Sequence, residues 1–288
     1  MAGAARSGWR AAGAPGLSDI LGGQPSDEAA LAELYDLEHD EITDDLAFYR
    51  ELARRARRAI IDLGCGSGRL FPALLAGGAR KIVGIDGSPA LLERARARIE
   101  RDDRLHQAYD EGRIELAVGD VRTARHPHRF GLAILAGVLA HLDGPEEGLR
   151  ALIAARQLLK PGGMLVADTL GPGALPRHDL PLSVDWERQV DGRHIVRRSQ
   201  LTRTEAPEGL RVEYHTLTDI AEADGTIARL PAGFRLWYPS AAALIGMANE
   251  ATLEVEEVYG SHDLDPLDDG SERCIVVLRR AASEPGRE

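Results

Sequence analysis

Cysteine and lysine are scarce in this chain, and it has no long hydrophobic run. Its 288 residues include only two cysteines, Cys65 and Cys274, at no spacing that suits a zinc or redox motif, and this argues against a disulfide framework. A reducing cytoplasm fits two free thiols. Lysine occurs only at positions 81 and 160, and arginine carries the rest of the positive charge, a bias that points to a GC-rich genome more than to a function. The net charge of −11 disfavours a broad nucleic-acid surface. No apolar stretch reaches the length needed to span a bilayer. Met1 to about Gln24 is rich in alanine and glycine and lacks the continuous apolar segment of a secretory signal. The expectation is a cytoplasmic protein with no membrane or nucleic-acid partner, a flexible leader over residues 1–25 and a flexible tail over 282–288.

The most informative stretch is Ile60–Ile61–Asp62–Leu63–Gly64–Cys65–Gly66–Ser67–Gly68–Arg69–Leu70. An apolar run ends in three glycines at alternate positions, and a helical pattern follows at once. This reads as a buried strand, a tight turn and a helix N-terminus. Glycines let the backbone approach a ligand that any Cβ would push away, and the helix start adds free N–H groups with a positive dipole end. Such a loop suits several nucleotide-like ligands.

From Ala59 the chain alternates strand and helix. Strands are expected at Ala59–Leu63, Lys81–Ile85, Ile114–Val118, Phe130–Val138 and Met164–Thr169. Helices are expected at Arg69–Ala76, Pro89–Arg101 and Pro145–Leu159, the last ended by Lys160–Pro161–Gly162–Gly163 as breaker and turn. Two earlier helices are expected, one from Ser26–Asp27–Glu28 and one over Asp44–Arg58. Alternation of this kind implies a parallel sheet covered on both faces, with ligands gathering at the strand C-termini. After Leu170 the pattern becomes extended and polar, with Asp191–Gly192 and Asp224–Gly225 as hairpin turns. A helix over Ser240–Glu250 and strands at Glu254–Tyr259 and Arg273–Arg279 then return the chain to the parent sheet.

Asp86 ends the second strand about twenty residues past the glycine loop, where an acid accepts hydrogen bonds from both ribose hydroxyls. Asp120 ends the third strand similarly, placed to meet an adenine amino group, with Val121 packing against the ring.

On Asp62–Leu63–Gly64–Cys65–Gly66–Ser67–Gly68, Asp86, Gly119–Asp120 and Leu159–Lys160–Pro161–Gly162–Gly163, the chain resembles the class I S-adenosylmethionine-dependent methyltransferases. The resemblance implies a Rossmann-like α/β fold with a seven-stranded sheet, mostly parallel with the last strand antiparallel, and helices on both faces. It also implies S-adenosylmethionine as cofactor, contacted by Asp62, Gly64, Cys65, Gly66, Gly68, Asp86, Gly87, Asp120 and Val121. Within the class the chain looks like small-molecule members, including the aminosugar and glycine N-methyltransferases. Tyr35 stands where such families place a tyrosine beside the cofactor, and the antiparallel insertion between strands five and six resembles their substrate cover.

The chain departs from many relatives at Phe130–Gly131, where they carry aspartate after the aromatic residue. The organisation expected is a single methyltransferase domain over 26–281. It comprises a helical cover (26–58), a cofactor core (59–170), a substrate-cover insertion (171–238) and closing elements (239–281).

Methyl transfer is an in-line displacement, in which alignment supplies much of the acceleration. His141 follows strand four at the ligand edge and is the candidate acid/base or substrate-orienting group. Tyr49, Trp237 and Tyr238 are the candidate acceptor-side residues, although Tyr49 and Trp237 also suit core packing. Arg69, after the glycine loop, is placed to meet a carboxylate or to form a surface ion pair. His126 and His128 flank Pro127 without an acidic partner at ligand spacing, so no metal is expected. The expected partner is a small-molecule amine or hydroxyl, with N-methylation ahead, and the expected assembly, if any, is a homodimer. The alternatives are a protein or RNA methyltransferase and a non-catalytic cofactor-binding regulator.

Overall fold

The computed structural model describes residues 28–56 and 58–282. The leader over 1–25 lies outside these residues, as does the tail beyond 282.

Two helices open the described chain, α1 (Glu28–His39) and α2 (Leu46–Ala56). The alternating core follows as β1 (Ala59–Leu63), α3 (Phe71–Ala76), β2 (Lys81–Asp86), α4 (Pro89–Arg101), α5 (Asp103–Asp110), β3 (Ile114–Val118) and β4 (Phe130–Ala136). A 3₁₀ turn (Val138–His141), α6 (Pro145–Leu158) and β5 (Leu159–Leu170) complete it. The chain then runs through β6 (Leu180–Val190), β7 (Arg193–Ala206), β8 (Gly209–Ala221) and β9 (Ile227–Pro239), and closes with α7 (Ala241–Glu250), β10 (Leu253–Tyr259) and β11 (Arg273–Arg280).

The main sheet has seven strands in the order β10–β11–β5–β4–β1–β2–β3. Strands β1 to β5 pair in parallel, and β11 runs antiparallel to both β5 and β10. Because β1 to β3 are wound in one direction and β4 to β5 in the other, the order reverses between β1 and β4. The crevice of an open α/β sheet forms at that reversal. The two faces have separate cores. Phe48, Phe71, Leu92 and Leu105 from α2 to α5 cover one, and Leu152, Leu244 and Met247 from α6 and α7 cover the other. Each fully buried leucine or isoleucine contributes about 1.5–3 kcal/mol.

Two local readings are corrected. Lys160–Gly163 is not a turn before the fifth strand but lies within β5, where Gly162 takes a left-handed φ of +72° and the β4–β5 register shifts beside it. Helix α5 was not foreseen; its signal is Asp102, whose side chain caps the Arg104 and Leu105 amides at 2.9 and 3.1 Å. Gly131 is sterically required here, since a Cβ there would stand 2.9 Å from the Arg58 side chain.

Strands β6 to β9 form a separate antiparallel four-stranded sheet in sequence order. Its first hairpin turns on Asp191 and Gly192, with φ of +50° and +79°, the geometry that matches strand twist in a two-residue loop. Ile195 and Ile220 of this sheet pack on Leu34 of α1, so the insertion closes over the N-terminal helix. No helix among the described residues is long and apolar enough to cross a membrane.

Candidate active site

The glycine loop leaves β1 at the crevice. Gly64, Gly66 and Gly68 have φ of +78°, +54° and +75°, a region that L side chains rarely adopt. Space is also lacking, because a Cβ on Gly64 would lie 2.3 Å from Val138 and one on Gly66 would lie 3.0 Å from the Tyr35 hydroxyl. The Gly64 and Cys65 amides donate to the Ile85 carbonyl at 2.6 and 3.1 Å, fastening the loop to the end of β2. Asp86 continues that link, accepting from the Gly66 amide at 2.8 Å and the Ser88 amide at 2.8 Å. Gly87 beside it is exposed, and a Cβ there would approach nothing closer than 3.9 Å.

Asp62 is the unusual member. The residue is 2% exposed, and Oδ2 has no hydrogen-bond partner among the described residues. Burial, helped by the nearby Asp86 charge and opposed by Arg69, pushes its carboxyl up to about 7. A buried carboxylate oxygen without a partner costs free energy unless a donor arrives. Together with the loop glycines, it forms a cradle suited to the ammonium and backbone of an amino-acid-like ligand. Cys65 is buried, and burial raises its thiol pKa far above the usual range, so it is not a nucleophile.

Asp120 is partly exposed and held by Arg122, whose Nε lies 2.9 Å from both carboxylate oxygens and whose backbone amide adds a bond at 2.8 Å. Arg122 also pairs with Glu147. Val121 is buried in the core face beneath.

Helix α1 lies over the loop. Tyr35 stacks on His39 with ring centroids 3.9 Å apart, and burial pushes its hydroxyl up to about 12. Arginines hold the helix from two sides. From α4, Arg94 reaches Asp36 at 2.6 Å and Arg98 reaches Asp40. From the insertion sheet, Arg188 takes the Leu37 carbonyl and Glu41, Arg193 takes Glu33, and Arg197 takes Glu38. Arg69 is committed within the protein, pairing with Asp45 through both terminal nitrogens and also donating to the Ile42 carbonyl at 2.9 Å.

His141 is exposed at the end of the 3₁₀ turn after β4. Partial burial of the ring nevertheless lowers its pKa, against the opposing charge of Asp86, with His39 reinforcing the drop. No hydrogen bond contributes to that shift. The lowered pKa favours the neutral ring, the form that accepts a proton.

Two of the three acceptor-side expectations meet a different environment. Tyr49 is 0% exposed, and its hydroxyl donates to Asp168 at 2.6 Å. Trp237 is 1% exposed and lies in the core face with Met247 and Leu244. Neither offers surface to an acceptor, because each sits on the packed side of its element. Tyr238, on the opposite face of β9 from Trp237, is half-buried, and its hydroxyl pKa is raised by burial and then by Tyr214. His126 packs near Phe130 and approaches Glu115 at 3.4 Å. No group of three or more metal-ligating side chains occurs among the described residues.

Sequence reasoning missed the buried carboxylate Asp168. Its Oδ2 takes Tyr49 and His262 Nε2 (2.9 Å), while Oδ1 takes Arg273 Nε at 2.9 Å. Only a strand-end aspartate in an otherwise apolar run signalled it. A groove of about 850 Å³ between α2 and β10–β11 lies apart from the glycine loop, and none of the sequence-derived site residues lines it.

Residues 60–163 match the family model described as a methyltransferase domain. Among curated proteins, the chain is similar to a tRNA U34 carboxymethyltransferase of Cellvibrio japonicus, at 34% identity over 119 residues, 41% of this chain and 34% of that protein. It thus spans about a third of the length of such relatives. It is also similar to the cypemycin N-terminal methyltransferase of a Streptomyces species, at 27% identity over 77% of this chain and 83% of that one. Among solved structures, the CcbJ methyltransferase of Streptomyces caelestis superposes with a TM-score of 0.65 at 24% identity, covering 88% of this chain and 96% of the other. CalS10 of Micromonospora echinaspora, an amino pentose methyltransferase with S-adenosylmethionine bound, gives 0.62 at 22% identity over 86% and 97%. Residues 60–163 thus carry a methyltransferase domain, and the fold around them is that of S-adenosylmethionine-dependent methyltransferases.

Proposed function

We propose that the protein transfers a methyl group from S-adenosylmethionine to a small-molecule acceptor, an amine in preference to a hydroxyl, with residues 26–281 acting as one unit. The observation that carries this reading is the unpartnered buried oxygen of Asp62 beside a glycine loop in left-handed conformations. When bound, S-adenosylmethionine supplies a methyl group activated by its sulfonium.

The residues of the chain divide the remaining work. Asp62 takes the ammonium, Asp86 the ribose hydroxyls, and Asp120 with Val121 the adenine. Tyr35 and the arginine-held helix α1 shut water from the loop. His141, neutral and without a carboxylate partner, orients the acceptor and receives a proton. An unassisted imidazole suits an amine, whose lone pair is already nucleophilic, better than a hydroxyl that needs a stronger base. The paucity of cysteine fits a cytoplasmic setting. The homodimer expected is read directly by light scattering.

A second reading, methylation of RNA or protein, is favoured by the tRNA enzymes among the relatives, but their similarity is confined to about two-fifths of this chain. Methyl release from labelled cofactor, measured across pools of amines, phenols, proteins and tRNA, tests both. Turnover in the amine pool is the expected result. Turnover confined to tRNA or protein contradicts it, and tight cofactor binding without turnover in any pool supports a regulator.

A further inference from the structure

The inward face of the insertion sheet carries aromatic rings that the fold leaves unburied. Cross-strand pairing puts Tyr214 opposite Phe234, and strand alternation puts both on the face that also holds Tyr238, Ile195 and Ile220. Ile195 and Ile220 pack on α1 at one end. Tyr238 at the other end lies near Arg273, beside the tops of β5 and β11. The middle of this face therefore spans the space between α1 and the crevice.

Tyr214 and Phe234 stack there with centroids 6.2 Å apart and planes 30° from parallel. Arg197 lies over Tyr214 at 5.8 Å and donates to its hydroxyl at 3.0 Å, and it also pairs with Glu38, the neighbour of His39 on α1. Phe234 remains 37% exposed on this inward face. Aromatic residues make up only 5% of the chain, so three on one unfilled face amount to a local concentration. A large ring left uncovered on an inward face marks space that a ligand fills.

The charges narrow the ligand. The guanidinium groups at this face are already paired, Arg188 with Glu41, Arg193 with Glu33, Arg197 with Glu38 and Asp185, and Arg203 with Glu205, as is Arg273 near Tyr238 with Asp168. A phosphorylated acceptor would have to break one of these pairs to gain a cation. A flat ring needs no such exchange, because it stacks on Phe234 and Tyr214.

We infer that the acceptor is an amine borne on a flat, unphosphorylated ring, held by Phe234, Tyr214 and Tyr238. This rests on the methyl-transfer reading. The acceptor nitrogen lone pair forms the new N–C bond, the S–C bond breaks with its electron pair retained on sulfur, and the surplus proton passes from the nitrogen to His141.

The test is calorimetric titration into protein saturated with S-adenosylhomocysteine, using 2-phenylethylamine and uridine-diphosphate-glucosamine as probes. The amine binds and the nucleotide sugar does not. Phe234→Ala weakens 2-phenylethylamine roughly tenfold, the loss expected of one aromatic contact. Phe234 is exposed enough that its loss does not threaten folding. Preference for the nucleotide sugar, no binding of 2-phenylethylamine, or indifference to Phe234→Ala overturns the inference. Those results leave the methyl-transfer reading intact so long as S-adenosylhomocysteine binds and labelled methyl is released. Failure of S-adenosylhomocysteine to bind wild-type protein removes both.

Discussion

The Tyr49 hydroxyl donates to Asp168 Oδ2 at 2.6 Å, tying α2 to the top of β5. The same carboxylate holds His262 from the β10–β11 loop and Arg273 from β11. Four separate chain segments thus meet on one buried acid. Burial alone would raise its pKa, but the His262 hydrogen bond and the Arg273 charge bring it below the usual carboxylate range. Stability from a depressed acid is present above its unfolded pKa and is lost as pH falls through the folded one. Removing one partner of a buried pair costs about 3–5 kcal/mol. Asp168→Ala is expected at the lower end, because part of Arg273 reaches solvent. Tyr49→Phe should cost about 1.5–3 kcal/mol, as for a hydrogen bond to a charged group. Urea denaturation measures both, and unchanged midpoints would show that the network is not structural.

Asp62 gives a pH signature of opposite sign. Its carboxyl is pushed up to about 7, mainly by burial. The native state keeps a proton there that the unfolded chain releases above roughly pH 4, so this group lowers stability as pH rises toward 7. An arriving ammonium replaces that proton. Affinity for S-adenosylhomocysteine should therefore rise with pH below about 7, by at most about tenfold per unit. Asp62→Asn should flatten the profile and stabilise the free protein at about pH 8. A flat wild-type profile contradicts the ammonium contact.

His141→Ala should slow turnover by about 10²–10⁴-fold if the ring moves a proton in the rate-limiting step, with little change in cofactor affinity. Because the ring's pKa is lowered, the acid limb of the wild-type pH–rate profile should fall below the ordinary histidine range. An equal rate in the variant removes His141 from the mechanism.

Asp36 is buried between Arg94 and Arg98, and it fastens α1 over the loop. Asp36→Ala should speed dissociation of S-adenosylhomocysteine several-fold, on the order of 1 kcal/mol, as read by stopped-flow displacement. An unchanged rate would mean that α1 does not retain the cofactor.

Much of the core was legible because its signals are local. Ala59–Leu63 and Ile114–Val118 form strands at the residues expected, and Pro89–Arg101 forms its helix, capped by Ser88. Three glycines at alternate positions announced three left-handed residues. What was not legible depends on which face an element buries. Tyr49 and Tyr35 both lie on apolar helical faces, but only the packing of α2 against β4 and β1 sends Tyr49 into the core, within reach of Asp168. Trp237 and Tyr238 are neighbours on one strand, so alternation forces them to opposite faces, and the sequence alone does not say which faces inward. Asp168 finds partners 94 to 119 residues away, a convergence that no local pattern encodes.

The most direct measurement is calorimetric titration of S-adenosylhomocysteine into wild-type protein and Asp86→Ala. Asp86 holds the Gly66 and Ser88 amides, and its carboxylate is assigned to the ribose hydroxyls. One-to-one binding by wild type, weakened roughly a hundredfold or more in the variant, is the result expected. No binding by wild type, or equal binding by both proteins, would contradict the assignment of this crevice to S-adenosylmethionine.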